Sequence, residues 1–287
     1  MAIPLPVIHS TTITTSTISL ILNIRLIFNF YYYNKNDKRH FSALFLCLYS
    51  QLCFNVSSLV YASQCLTGAL TDNWSAAGVF WSGDLTFSFT FSIVTCNFCI
   101  AVDRIVAMRK PFQYAAKYSP LCQNICIVLM IVSFGGACLR YSIGIQLEPA
   151  TAPSISYLTK PGVLNCTSIA RNVLSFISIA STLVFLREVA LFLKKQHKSH
   201  SSKGIKKANR VVLLQLIAET ALMIFPDLAF PFSGLIGVNL IGIVGPVSIP
   251  FSALYTLACA LLLTMQFRRS KVVEVTVVSS SVASVSK

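Results

Sequence analysis

Apolar residues fall into seven long runs of about twenty, each closed by a polar break, a spacing that predicts seven helices able to cross the ~30 Å hydrocarbon layer of a bilayer. The runs lie at about 7–30, 41–65, 76–103, 122–144, 168–193, 211–234 and 238–265, and a Ser/Val-rich tail, 270–287, reads as a short disordered segment. The first run is the weakest. It is rich in Thr and Ser and contains Asn23, which needs a partner in lipid, and Arg25, close enough to the run's end to snorkel. The second run offers Ser50, Gln51 and Asn55 but no acid; the third carries only Asp84 before it meets Asp103-Arg104. In the sixth, Glu219, Met223, Asp227 and Phe230 recur at three- and four-residue intervals and so share one face, and acids on that face point it into the bundle. Pro226 interrupts the sixth run, and Pro246 and Pro250 the seventh. Between the fourth and fifth runs, Pro149, Pro153 and Pro161 mark a loop.

Composition agrees: 55% of residues are hydrophobic, only 11% are charged, and mean hydropathy is +0.71, which excludes an ordinary soluble domain. The fold class expected is an all-α membrane protein, a seven-transmembrane helix bundle spanning 1–269. A net charge of +14 in a soluble chain suggests nucleic acid. Here eighteen of the 23 Lys and Arg lie in the loop before the second run, in Arg104 to Lys117, in Lys194 to Arg210 and from Arg268 to Lys287. The positive-inside rule puts these segments in the cytoplasm, the N-terminus outside and the C-terminus inside, and leaves lipid, not nucleic acid, as the partner of the charge. Two sequons, Asn73-Trp74-Ser75 and Asn165-Cys166-Thr167, then both fall outside as glycosylation candidates. The first run lacks the basic n-region of a cleaved signal and is expected to act as an uncleaved anchor. Ten cysteines show no metal-ligand grouping, and most sit in apolar runs as small hydrophobes. The four His lie in terminal or loop sequence, and no hydrolase, zinc or phosphate-loop motif is present, so neither an enzyme nor a cofactor or metal is expected.

The charged end of the third run, Asp103-Arg104-Ile105-Val106-Ala107-Met108-Arg109-Lys110-Pro111-Phe112-Gln113-Tyr114, resembles the signature of rhodopsin-like G-protein-coupled receptors, with Ile105 where Tyr is commonest. The resemblance implies that Asp103 restrains Arg104, that Arg104 and Pro111 belong to the G-protein-coupling surface, and that Pro226 and Pro250 are helix hinges. It also implies a ligand cavity between the third, fifth, sixth and seventh helices, with Thr86, Phe87, Thr90, Asp227 and Phe230 as candidate lining residues. Eighteen residues before Arg104, where amine receptors carry Asp, stands Thr86, so a biogenic amine is not expected. The family's acid at the inner end of helix six is replaced by Lys206, and its outer helix-three Cys by Val79. Cys65 and Cys166 either form a non-standard disulfide or remain two free thiols.

Loss of the helix-two Asp, helix-four Trp, outer helix-three Cys and helix-seven Asn alongside an intact Asp-Arg pair resembles the divergent nematode serpentine chemoreceptors, the serpentine receptor class bc group above all. That implies a chemosensory receptor for a small odorant or pheromone-like molecule, acting on a heterotrimeric G protein in the plasma membrane of a sensory neuron or its cilium. Two rivals stay open: a small secondary transporter with Glu219 and Asp227 as coupling acids, and a non-signalling receptor partner.

Overall fold

The computed structural model describes residues 5–33, 42–71, 73–110, 113–146, 154–155, 158–195, 214, 217–226 and 248–265. Its elements are α1 (Leu5–Tyr33), α2 (Ser42–Thr71), α3 (Ala76–Arg109), a π-helical turn (Tyr114–Tyr118), α4 (Ser119–Ile143) and α5 (Pro161–Lys195). A segment at 217–226, here α6, contains a second π-helical turn, Thr220–Ile224. Last comes α7 (Ser248–Met265). Six of these helices are long and apolar enough to cross a membrane. The chain is an all-α, seven-helix membrane bundle. Among the described residues the only extended pairing is an isolated antiparallel bridge, Ile145 with Thr159.

Two observed boundaries differ from expectation because the edge of an apolar run marks the edge of lipid, not the end of a helix. The third helix continues past Asp103 to Arg109, and the fifth begins at Pro161, so that Asn165 lies on a helix. Ser75 sets the start of α3, its hydroxyl accepting from the Gly78 N–H at 3.2 Å. Pro120 enters the first turn of α4, where a missing N–H costs nothing. The hydroxyls of α1 are satisfied within the helix: Thr11, Thr14 and Thr17 donate to the carbonyls of Val7, Ser10 and Ile13 at 2.7–2.9 Å. Such back-bonding lets a Thr-rich run face lipid.

Helix α3 is the axis of the bundle and packs against α2, α4 and α5, with 67% of its most apolar window buried. Helix α4 is peripheral. Val128, Ile131, Val132, Leu139 and Ile143 stand exposed along it, an apolar surface that only lipid or a partner helix tolerates. Helix α7 closes against α1 and α2 through a cluster of Leu26, Leu48 and Ala260.

At the end where α3 and α5 begin, the segment after α4 folds back into the bundle. Gln146 donates to the Leu158 carbonyl at 2.8 Å and Lys160 to the Gly144 carbonyl at 2.9 Å. This carries Ile155 and Leu158 into a core with Tyr61, Cys65, Val79, Phe80 and Tyr141. A Cβ at Gly83 would lie 2.9 Å from the Tyr61 ring and 3.0 Å from Ile155, so this close approach of α2, α3 and the loop requires glycine.

Candidate functional site

The signature at the far end of α3 folds around its acid. Asp103 is buried, and the Tyr114 hydroxyl donates to its Oδ1 at 2.7 Å. The Arg104 Nε stands 4.0 Å from Oδ2, with about a third of that side chain exposed. Tyr114 reaches Asp103 because the chain turns after Arg109 and re-enters as the π-helical turn, whose first residue is Tyr114. Burial, followed by the hydrogen bond to Asp103 and its charge, pushes the Tyr114 phenol well above its usual titration range, so it remains a donor. Arg109, one helix turn beyond, pairs with Glu188 of α5 and ties the two helix ends together. Thus one carboxylate is shared by a sequence-adjacent guanidinium and a phenol from the following turn. Such a junction fixes the acid, and through it the guanidinium, at the end of α3. Pro111 lies outside the described residues.

Two polar knots hold the middle of the bundle. Asn55 donates to the Ser19 hydroxyl at 3.0 Å and accepts from Thr256 at 3.1 Å, joining α1, α2 and α7. Asn97 donates to the Tyr255 hydroxyl at 2.7 Å, joining α3 and α7, and accepts from Cys47 of α2 at 3.8 Å. Each knot gives an amide or hydroxyl in a lipid-embedded bundle the partner that water cannot supply. Glu219 and Met223 of the α6 face do point inward, at 2% and 4% exposure. Asp227 and Phe230 lie outside the described residues. Asn23 is fully buried, but neither its Nδ2 nor its Oδ1 is hydrogen-bonded. Arg25 is exposed.

Thr86 and Thr90 are buried on one face of α3, and both hydroxyls turn back to their own helix, to the Ser82 carbonyl at 2.7 Å and the Phe87 carbonyl at 2.6 Å. Phe87 does not join them; it packs on Tyr141 of α4, ring centres 5.9 Å apart. Asp84 also faces α4, accepting from Cys138 of that helix at 3.4 Å and from Ser88, one turn along α3 itself, at 3.3 Å. Pro226 stands two residues past the end of the π-helical turn, a local widening of the helix shortly before the missing N–H. Pro250 is buried in the described part of α7.

The alternative left open at the cysteines is settled, and one placement differs from expectation. Cys65 and Cys166 are not bridged: both are free, Cys65 inside the core at the loop end and Cys166 exposed on α5. A helical Cys166 points away from the bundle, a placement the sequon pattern did not reveal. His9 is not in loop sequence but buried in α1, edge-on to Tyr61 at 6.3 Å. The two sequons do share one end of the bundle: Asn73 and Asn165 are exposed, and their neighbours Trp74 and Leu164 pack on the same core cluster. Among the described residues no group of three or more His, Cys, Asp or Glu is arranged to hold a metal.

Tyr114 was in the motif but its partner was not legible from it. Tyr255, five residues after Pro250, is the residue of α7 that reaches α3, a contact no motif in the sequence marks. Glu188, on a helix end, carried no sequence signal at all.

Residues 1–139 match the family described as serpentine type 7TM GPCR chemoreceptor Srbc. The match spans α1 through most of α4 and includes the whole Asp103–Tyr114 junction, and it bears out the resemblance drawn from that signature. No curated protein matches the chain.

Proposed function

We propose that this serpentine chemoreceptor-like chain binds a small external molecule and passes the signal to a heterotrimeric G protein through Arg104. The observation that carries the reading is the Asp103 junction, in which a buried acid holds both Arg104 and Tyr114 at one end of the central helix. In the resting bundle Asp103 keeps the guanidinium folded against α3. On activation the Arg104 and Tyr114 contacts to Asp103 both open, and the five-donor fork of Arg104 becomes available to acceptor groups of the G-protein tail. By its place in the sequence motif, Pro111 is assigned to the same coupling function.

The basic segments at this end put it in the cytoplasm, with the N-terminus, Asn73, Asn165 and the loop carrying Ile155 outside. Thr86 and Thr90 on the buried face of α3 are the described candidates for contact with the ligand, and Asp227, Phe230 and Phe87 remain candidates from the sequence resemblance. Pro226, with the widened turn before it, is the pivot for α6, and Pro250 serves α7 likewise. The receptor then operates in the plasma membrane of a chemosensory neuron.

The test is second-messenger output from cells expressing the chain with a promiscuous Gα subunit, over a panel of volatile and water-soluble compounds. A ligand response lost in Arg104→Ala at equal surface level supports the reading. A response or an uptake that survives Arg104→Ala and disappears in Glu219→Gln favours the transporter instead.

A further inference from the structure

Arg171 is a buried cation of the bundle interior that the coupling junction leaves unused. It stands ten residues, roughly 15 Å of helix rise, past Pro161 at the start of α5. Arg25, Arg140 and Arg187 are exposed, as snorkelling requires, whereas Arg171 is 6% exposed. Its face of α5 is a stripe of buried polar residues, Thr167, Arg171, Ser175, Ser178 and Thr182, recurring at three- and four-residue intervals. The stripe looks into the bundle, because Ser178 and Asn97 of α3 both meet the Glu219 carboxylate. Packing sets the depth of Arg171: Leu164 rests on the cluster of Val79 and Phe80, and Leu174 on that of Ile93 and Val94. Arg171, between those two leucines, therefore lies level with Thr86 and Thr90 of α3. The threonines at this level are turned elsewhere, since Thr86, Thr90 and Thr167 donate to carbonyls of their own helices at 2.6–2.7 Å. Asn172, beside Arg171 in the chain, is buried too, and its Oδ1 closes no hydrogen bond, so the protein leaves polar capacity unfilled here.

We propose that Arg171 anchors a small organic carboxylate between α3 and α5 at the level of Thr86 and Thr90, so that the ligand of this chain is an acid. A guanidinium in a membrane interior is costly and is kept where it reads a charge. Its planar fork carries five N–H donors and a side-on carboxylate takes two, so a protein partner and a ligand can be held together. One guanidinium balances one negative charge, which a carboxylate supplies and a phosphate dianion exceeds. Toward the end where α5 begins, the cluster of Phe80, Ile155 and Leu158 closes over this level, so the body of the acid that meets it is apolar. Glu219, opposite Ser178, is seven residues and roughly 10 Å further along the stripe, which leaves Arg171 as the charge the ligand meets. That this acid is the signalling ligand rests on the coupling reading, but the binding itself does not.

The experiment uses the full chain in lipid nanodiscs at neutral pH, its melting temperature followed with butanoate, hexanoate, octanoate and decanoate, each beside its methyl ester. In the wild type at least one acid is expected to give a saturable rise of roughly 3 °C at tenfold its half-saturating concentration, with the matching ester weaker by about 100-fold. Arg171→Gln should abolish the preference for acid over ester. Arg171→Lys, which keeps the charge but not the fork, should raise the half-saturating concentration of the acid about tenfold. The proposal is overturned by the absence of a rise with any of the acids, by esters as effective as acids, by an equal rise with inorganic phosphate, or by an acid response unchanged in Arg171→Gln. If Arg171→Gln does not fold, an acid response unchanged in Arg171→Lys overturns it independently. None of these readouts requires a G protein. Second-messenger output from cells given the same acids separates the two readings, because binding without output refutes coupling and supports the site.

Discussion

Replacing Tyr114 with Phe removes one oxygen and nothing else from the junction. The lost bond is a 2.7 Å hydroxyl-to-carboxylate contact between two residues that are 6% and 5% exposed. Hydrogen bonds to charged groups contribute about 1.5–3 kcal/mol, and more when a buried acceptor is left short. Arg104 at 4.0 Å offers no replacement without moving closer. If the bond belongs to the resting state alone, its loss raises the active population about 10- to 100-fold, since 1.4 kcal/mol is a factor of ten. The assay is basal second-messenger output without ligand, with wild type and Tyr114→Phe compared at equal surface level. Because burial raises the Tyr114 titration, the neutral donor is the favoured form in the fold and its contribution is fully present below the ordinary phenol range. The difference between the two proteins should therefore be flat from pH 6 to about 9. Unchanged or reduced basal output in Tyr114→Phe refutes the restraint, since the bond would then be equally present in the active state.

Other outcomes follow from packing and exposure. Gly83→Val forces a side chain into the 2.9–3.0 Å gaps to Tyr61 and Ile155 and should lower the melting temperature of the purified chain by several degrees, from the ~1–3 kcal/mol cost of overpacking. A melting temperature within one degree of wild type would contradict the packing of that loop. Cys166 should react with a membrane-impermeant maleimide on intact cells without prior reduction, and labelling that appears only after reductant would restore the disulfide. Asn73→Gln and Asn165→Gln should each remove one glycosidase-sensitive mobility step, and retention of both steps in the double variant would reverse the assigned sidedness. Charge reversal at Glu188 should leave the melting temperature close to that of the wild type, because the Arg109 side of the pair is solvent-exposed; a drop of many degrees would contradict this.

The seven helices were legible because lipid imposes one strong rule, a long apolar run per crossing, and the runs around 5–33 and 42–71 satisfy it even with many hydroxyls. The boundaries of α3 and α5 were less so, since a helix persists into the headgroup region where composition turns polar, as from Asp103 to Arg109. At the site, Asp103 and Arg104 could be read because their spacing to Ala107 and Tyr114 is a fixed pattern. The bond from Tyr114 to Asp103 could not, because it depends on how the chain turns after Arg109. Contacts between distant runs, such as Asn97 with Tyr255 and Arg109 with Glu188, require the rotation of each helix about its axis. Periodicity sets that rotation only loosely where small polar and apolar residues are mixed around the helix, as they are in α3, which buries Ser82, Asp84, Thr86, Ser88 and Asn97. The burial of Ile155 was hidden for a different reason, since a Pro-rich segment signals a loop but not that the loop turns inward.

The central claim is that Arg104, released from Asp103, engages a G protein. It is tested most directly with purified chain in nanodiscs and a purified heterotrimer, by measuring the rate of nucleotide exchange on the α subunit. Tyr114→Phe should accelerate exchange beyond the wild type, and the double variant Tyr114→Phe with Arg104→Ala should return it to the rate of the heterotrimer alone. Acceleration that persists undiminished in the double variant would contradict the account.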